Sequence, residues 1–341
     1  MRNIEHFEVG KWAFVNPTEA TIFDQVNNGN LVGLHQFYTE YEACKQVSTK
    51  THVFSAAFSL EDDEEAFDGA VIYMPKSKQQ LAMLIDNLSA MMKPQSTLII
   101  VGENKAGIKS VPKLLEKVGE QVNKIDSAKH CGLYAVTVTK QLKNFDINNY
   151  SVTKNYEINE QNISVFSLPG VFGHKQLDPG TNLLLKQLNS LKIKNKKPHI
   201  YDFACGTGVI GCYMAKQLEA SEILLSMSDV SALAIYCSQE SAKLNNVDAN
   251  IIASNGFAEL NKKVDMIVSN PPFHTGIKND YSVTENFINS AYSHSNQYAS
   301  ITVVANKFLP YPDMLEKTYK SFSELASTPQ YRVYHAKKHS K

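Results

Sequence analysis

Four consecutive residues, Asn270-Pro271-Pro272-Phe273, are the part of this 341-residue chain best suited to chemistry. An exocyclic amine on a base, or an amide nitrogen, is a poor nucleophile because its lone pair is delocalised into the adjoining π system. Two acceptors correct this. The Asn270 side-chain oxygen and the Pro271 carbonyl can each take one N–H and hold the lone pair towards an electrophile. A proline restricts the residue before it to extended backbone, so Pro271 fixes Asn270 and Pro272 fixes Pro271. Positioning of this kind supplies about 7–11 kcal/mol of barrier lowering. Phe273 offers a face for stacking a flat substrate, and Pro272 and His274 flank it as substrate contacts. A catalytic base at His274 is not required, since the proton can leave to water once the nitrogen is alkylated. Catalytic roles fall to Asn270, Pro271 and Phe273.

The elements that must position this tetrapeptide are legible around it. Val264–Ser269 is an apolar run of strand type, and Asn270 stands just past its carboxyl end. Upstream, Ile200 to Gly211 reads as a short strand, a glycine turn and the start of a helix that continues through CYMAKQLE. This is the first βα unit of a doubly wound sheet, whose ligands sit beyond the carboxyl ends of the strands at the switch point. About 21 residues after Gly208, a second strand ends in Asp229, placed to accept hydrogen bonds from a ribose diol. Gly206-x-Gly208-x-x-Gly211 also fits a nicotinamide dinucleotide fingerprint. Two features favour S-adenosyl-L-methionine instead. Asp202, on the strand end before the turn, suits a positively charged α-amino group, and a dehydrogenase has no use for Asn-Pro-Pro-Phe. The expected cofactor residues are Asp202, Cys205, Gly206, Gly208, Asp229 and Asn255.

Composition sets the outer bounds. At 341 residues, two domains of roughly 150 residues are expected. No stretch approaches the roughly 20 apolar residues of a membrane span, and the opening MRNIEHFEVGKW lacks a signal-peptide core, so a cytoplasmic protein is expected. Cys44, Cys131, Cys205, Cys212 and Cys237 are an odd number without paired spacing and read as buried thiols; no metal site is expected. Zero formal net charge argues against indiscriminate nucleic-acid binding. Any RNA contact must come from local patches, with Lys192–Lys197 and the tail Lys337–Lys341 as candidates.

The two halves echo one another. Asp265 to Pro272, a helical segment, the strand from Ile301 with Asn306-Lys307 at its end, and a strand around Tyr334 form one series. Asp68 to Pro75, the helical KQQLAMLIDNLSAMM, the strand from Leu98 ending in Asn104-Lys105, and Leu133-Tyr134 form the other. The first half has Tyr73-Met74-Pro75 where the second has Asn270-Pro271-Pro272, and it has no glycine-rich loop. The expected architecture is α/β, two tandem Rossmann-like class I methyltransferase domains of which the first is degenerate. Their expected bounds are residues 1–160, a scaffold or RNA-recognition domain, and 161–341, the catalytic domain, with a polar linker between about Leu142 and Asn162.

Several stretches together resemble the RsmC family of bacterial 16S ribosomal RNA guanine-N2 methyltransferases. They are Phe166-Ser-Leu-Pro-Gly-Val-Phe172, Leu177-Asp178-x-Gly180 running on to Leu183-Leu184-Leu185, and Asp202-x-x-Cys205-Gly206-x-Gly208-Val209. Asp229-Val230-Ser231-Ala232, Ala253-Ser254-Asn255, Ser269 to His274 and Val304-Ala305-Asn306-x-Phe308-Leu309-Pro310-Tyr311-Pro312 follow the same pattern. In the first half, Val101-Gly102-Glu103-Asn104-Lys105 and Cys131-Gly132-Leu133-Tyr134 extend it. The resemblance implies one S-adenosylmethionine-binding domain, the second, and a target guanine in helix 34 of 16S rRNA, guanine 1207, within the 30S subunit. It further implies that the first domain helps the second to fold and contributes to RNA binding, and a monomer is expected. Residue by residue, Asp202, Gly206 and Gly208 would line the methionine end of the cofactor, Asp229 its ribose, Asn255 its adenine side, and Asn270 to Phe273 the guanine.

One position departs from the pattern: the family loop usually has glycine where this chain has Ala204. If the backbone there is left-handed, alanine costs about 1–2 kcal/mol. Phe166–Gly173 and Asp178–Thr181 read either as a cover over the cofactor or as plain turns in which Asp178 caps a helix. Competing readings are methylation of adenine N6 or of a protein glutamine, and a non-catalytic RNA-binding assembly factor with a vestigial cofactor site.

Overall fold

The computed structural model describes residues 3–191, 197–218, 222–272 and 282–339. The chain divides into two units, Met1–Ser151 with Leu168–Gly170, and Val152–Ser167 with Val171–Lys341. No helix among the described residues is long and apolar enough to cross a membrane.

The first unit runs β1 (Trp12–Val15), α1 (Ile22–Gln25), β2 (Leu31–His35), α2 (Tyr38–Val47), β3 (Thr51–Phe54), β4 (Phe67–Tyr73), α3 (Lys78–Ser89), β5 (Met92–Glu103), α4 (Val111–Leu115), β6 (Asn123–Ala128) and β7 (Cys131–Thr137). Its sheet has the order β3-β2-β1-β4-β5-β7-β6. The second unit opens with a hairpin, β8 (Val152–Ile158) and β9 (Gln161–Ser167), and α5 (Pro179–Leu188). It continues with β10 (His199–Phe203), α6 (Val209–Gln217), β11 (Leu224–Asp229), α7 (Ala232–Leu244), β12 (Asn250–Ala253), β13 (Val264–Ser269), α8 (Ser282–Ser293), β14 (Ser295–Asn306), α9 (Tyr311–Tyr319), β15 (Phe322–Ser327) and β16 (Tyr331–Lys337). Its sheet order is β12-β11-β10-β13-β14-β16-β15, the same order position by position. The stretch Leu142–Asn162, expected as a polar linker, holds a 3-10 turn and strand β8, because alternate residues of β8 gain burial only once β9 pairs with them.

Local irregularities repeat as well. β5 and β14 are each 12 residues long, and each carries a left-handed residue at its fourth position, Gln95 (φ 63°) and Tyr298 (φ 63°). Register shifts fall at matching places, Phe67/Gly69 against Val264/Met266 and Lys124/Asp126 against Glu324/Ala326. Tyr134 and Tyr334 correspond, each pairing with the ninth residue of its long strand, Ile100 and Val303. Asn104 and Asn306 do not. Asn306 ends β14 opposite Tyr331, and its counterpart is Glu103 opposite Cys131; Asn104 already belongs to the following turn.

The register also identifies what the first unit lacks. Phe203 pairs with Ser269 as Val15 pairs with Ile72, so Tyr73 holds the place of Asn270 and Asn16 that of Ala204. Likewise His35 holds the place of Asp229; each accepts through its carbonyl from a serine N–H just past the third strand, Ser55 and Ser254. A buried amide network, Asn16–Gln36–Gln80, fills the end of β1 in place of a glycine loop. On the sheet face that α5 covers in the second unit, the first has a cavity of about 780 Å³ walled by Phe14, Val71, Tyr73, Ile99, Val101 and Leu133.

Candidate active site

In the second unit the parallel strands β10, β11, β12 and β13 all end at one edge of the sheet. The loop after β10 and Asn270 after β13 therefore emerge side by side, with Asp229 and Asn255 on the far side of β10. Apolar strands buried on both faces hold this edge rigid: Tyr201, Met227, Ile267 and Val268 are fully enclosed. Ser269 Oγ donates to the Phe203 carbonyl at 2.7 Å, tying the two strand ends together.

The loop is left-handed at Ala204 (φ 56°), Gly206 (φ 56°) and Gly208 (φ 75°), and the N–H groups of Cys205 and Gly208 close it by donating to the carbonyls of Ser228 (2.9 Å) and Cys205 (2.8 Å). Glycine at 208 is demanded twice, since a Cβ there would also lie 3.0 Å from Ser238 Cα on α7. Gly211 lets α6 approach β11, where a Cβ would lie 2.6 Å from Met227 Sδ. Asp229 organises the loop from below: its Oδ2 accepts from Gly206 N–H (3.0 Å) and its Oδ1 from Ser231 N–H (2.9 Å). Burial raises the Asp229 carboxyl, and these N–H groups oppose the rise. Asp202 is fully enclosed; burial pushes its carboxyl up to about 8, the Gly211 N–H lowers it, and Asp229 raises it further. Its Oδ2 accepts from Gly211 N–H at 2.8 Å, holding the first turn of α6, while Oδ1 is buried with no partner among the described residues. Cys205 lies 3.2 Å from Ser238 Oγ, and burial raises its thiol well above the ordinary range, which keeps it protonated.

Asn270 is held by its amide nitrogen. Nδ2 donates to Asp178 Oδ2 (3.0 Å) and to Thr181 Oγ1 (2.8 Å), whereas Oδ1 is buried and without a partner among the described residues. Pro271 is buried and Pro272 exposed. A narrow cavity joins Asn270, Asp178 and Thr181 to the loop residues Ala204, Cys205, Gly206 and Thr207, with Tyr156, Phe172, Gly173 and Leu177 completing its wall. Of the expected cofactor residues Cys205 and Gly206 line this cavity, whereas Asp202, Gly208, Asp229 and Asn255 stand at the same strand edge without lining it. Phe273 and His274 lie outside the described residues. Of the two readings of the Asp178–Thr181 stretch, the helix cap is present, with Asp178 accepting from Thr181 N–H (2.8 Å), and both residues also line the cavity. The hydrogen bonds from Asn270 to Asp178 and Thr181, about 90 positions upstream in sequence, had no signal at the level of motif spacing.

The candidate RNA patches fare differently. Lys192–Lys196 lie outside the described residues, and Lys197 pairs with Glu222 at 3.0 Å. In the tail, Lys338 is committed internally: its Nζ donates to the carbonyls of Tyr292 (2.7 Å) and Ser295 (2.9 Å) and lies over the Tyr292 ring. The free thiols are mostly as expected, with four buried and Cys131 half-buried.

Comparison with known proteins matches residues 162–335 to the methyltransferase small domain and residues 1–155 to the methyltransferase small domain N-terminal model. The ribosomal RNA small subunit methyltransferase C of Pseudoalteromonas atlantica is 45% identical over 98% of this chain and 96% of its own. That of Alteromonas mediterranea is 36% identical over 98% and 96%. Among solved structures, the Thermus thermophilus 16S rRNA N2 G1207 methyltransferase in complex with AdoMet and guanosine superimposes with a TM-score of 0.82 at 18% identity, covering 97% of this chain and 89% of that one.

Proposed function

We propose, from the premise that the chain belongs to the ribosomal RNA small subunit methyltransferase C family, that it methylates the exocyclic N2 of a guanine in 16S rRNA, guanine 1207 of helix 34, within the 30S subunit. The observation that carries this reading is Asn270: a half-buried residue whose amide nitrogen donates twice and whose buried oxygen has no partner among the described residues.

The second unit has residues that fit S-adenosyl-L-methionine. The unpartnered Oδ1 of Asp202 and the carboxylate of Asp229 offer acceptors for an amino acid joined to a nucleoside, and the left-handed glycines let the backbone approach it closely. When bound, S-adenosylmethionine supplies a methyl group on a positively charged sulfur. The chain's own residues act on the amine. Asn270 Oδ1 accepts one N–H of the guanine amino group and the Pro271 carbonyl accepts the other, which holds the nitrogen lone pair out of the ring plane. Tyr156, Phe172 and Leu177 give the cavity an apolar wall, which strengthens polar contacts made against it. A guanine in a duplex must leave its stack before this chemistry. Zero net charge leaves RNA binding to local patches, and the chain acts as a monomer without a metal.

The test is to incubate the protein with methyl-labelled S-adenosylmethionine and, separately, 30S subunits, free 16S rRNA, DNA and a release factor. Label in N2-methylguanosine of 16S rRNA is the expected result. Label in adenine N6 or in glutamine overturns the substrate, and absence of transfer to all four overturns the enzymatic reading.

A further inference from the structure

We infer that Asp178 and Thr181 are positioning residues that fix which way the Asn270 amide faces; this deepens the proposed reading of the site and rests on it. An asparagine amide can be turned end for end at little steric cost, and the two orientations have opposite chemistry: oxygen forward accepts from a substrate amine, nitrogen forward repels it. Here the back of the amide meets two acceptors. Asp178 Oδ2 lies 3.0 Å from Nδ2 and Thr181 Oγ1 lies 2.8 Å from it. The Thr181 hydroxyl hydrogen is directed to Asp178 Oδ2 at 3.3 Å, so a lone pair of Oγ1 faces Asn270. An amide oxygen at that place would confront a carboxylate oxygen and a hydroxyl lone pair. Only the nitrogen fits, and Oδ1 is thereby directed away, buried and with no partner among the described residues.

The orienting pair is itself fixed. Asp178 Oδ2 accepts from Thr181 N–H at 2.8 Å as the cap of α5. Gly180 has no side chain to displace it; a Cβ there would lie 3.0 Å from Asp178 Oδ2 and 3.0 Å from the Tyr331 ring. The start of α5, which precedes the sheet in sequence, thus sets the polarity of a residue on the sheet's fourth strand in chain order.

The experiment compares full-length wild type with Asp178→Asn, Thr181→Val and Thr181→Ser. Each is assayed on 30S subunits for kcat and KM, by calorimetry for S-adenosylmethionine binding, and by thermal unfolding. Asp178→Asn keeps one oxygen for both the helix cap and Asn270 Nδ2 but removes the negative charge that excludes the turned Asn270 amide. Thr181→Val removes the hydroxyl while keeping the backbone cap. Both are expected to lower kcat about 10–100-fold, with cofactor Kd and KM for 30S subunits within about threefold of wild type. Thr181→Ser, which restores the hydroxyl, recovers kcat. Wild-type kcat in both impaired variants overturns the inference, and so does a kcat loss matched by lost cofactor binding or by lowered thermal stability in both. If wild type labels an amine other than guanine N2, the substrate assignment fails, and the same kcat ratios measured on that amine still decide the role of Asp178 and Thr181.

Discussion

Asn270 and Ala204 stand side by side at the ends of β13 and β10, and each makes a prediction of its own. On the proposed mechanism, replacing Asn270 with alanine removes an acceptor that only the reacting amine would use, the cofactor being met by the loop and the carboxylates. Cofactor affinity by calorimetry should be retained while kcat falls about 100–1,000-fold, in the range of a lost preorganised polar contact. Lost cofactor binding would instead place Asn270 in the cofactor site. Ala204 is left-handed at φ 56°, which carries about 1–2 kcal/mol of strain for any residue with a Cβ. Ala204→Gly releases that strain but gains freedom in the unfolded chain worth about 0.4–1 kcal/mol. A net rise of about 1–3 °C in the unfolding midpoint of the second unit is expected by calorimetry.

At the scale of elements, the cofactor loop depends on how closely α6 and α7 approach the sheet. Gly208 sits against the backbone of α7, and Ser238 Oγ reaches back to the Gly206 carbonyl at 3.1 Å. Gly208→Ala adds both a left-handed alanine and a 3.0 Å clash with Ser238 Cα, an atom that cannot rotate away. Urea unfolding should show a loss of about 1–3 kcal/mol, and cofactor affinity should drop at least in proportion because the same residue shapes the loop. Unchanged stability would mean that α7 shifts freely. The first unit reaches the same strand order without these contacts. Its α1 has four residues against nine in α6, and amide side chains take the place of the loop.

Across the whole molecule, each unit holds a histidine that resists protonation, His35 fully buried and His335 partly so. Burial and neighbouring His52 lower His35 to about 4, and burial with Lys337 lowers His335 to about 4. His35 Nε2 shares a 3.0 Å hydrogen bond with His52 Nδ1, and Cys44 completes a group of three ligand-type atoms within 4.8 Å, which the sequence spacing had not suggested. The folded pKa of each histidine lies below the unfolded value of about 6.5. The unfolded chain therefore binds the extra protons, so stability is full above pH 6.5 and falls as pH drops towards 4. For fully enclosed His35 the loss is on the order of 3 kcal/mol. Thermal unfolding measured from pH 7.5 to 4.5 should show both units weakening, and His35→Asn should flatten the profile of the first; a pH-independent midpoint over this range sinks the prediction.

The sequence by itself determined the candidate residues to be examined and the strands that carry them to one sheet edge. Glycine spacing, an acidic strand end and Asn-Pro-Pro are local patterns, and apolar runs such as Val264–Ser269 become strands wherever they are enclosed. The repeat was legible for the same reason, although its register was not: Asn104 and Asn306 look alike in sequence, and only hydrogen-bonded pairing shows them one position apart. Tertiary structure alone decided that Asp202 anchors α6 beneath the loop, that Lys338 is spent inside the fold, and that Asp178 and Thr181 meet Asn270. These are pairings between groups distant in the chain. Their partners are selected by the sheet order and by the cost of leaving a buried polar group unpaired, and no spacing rule encodes either.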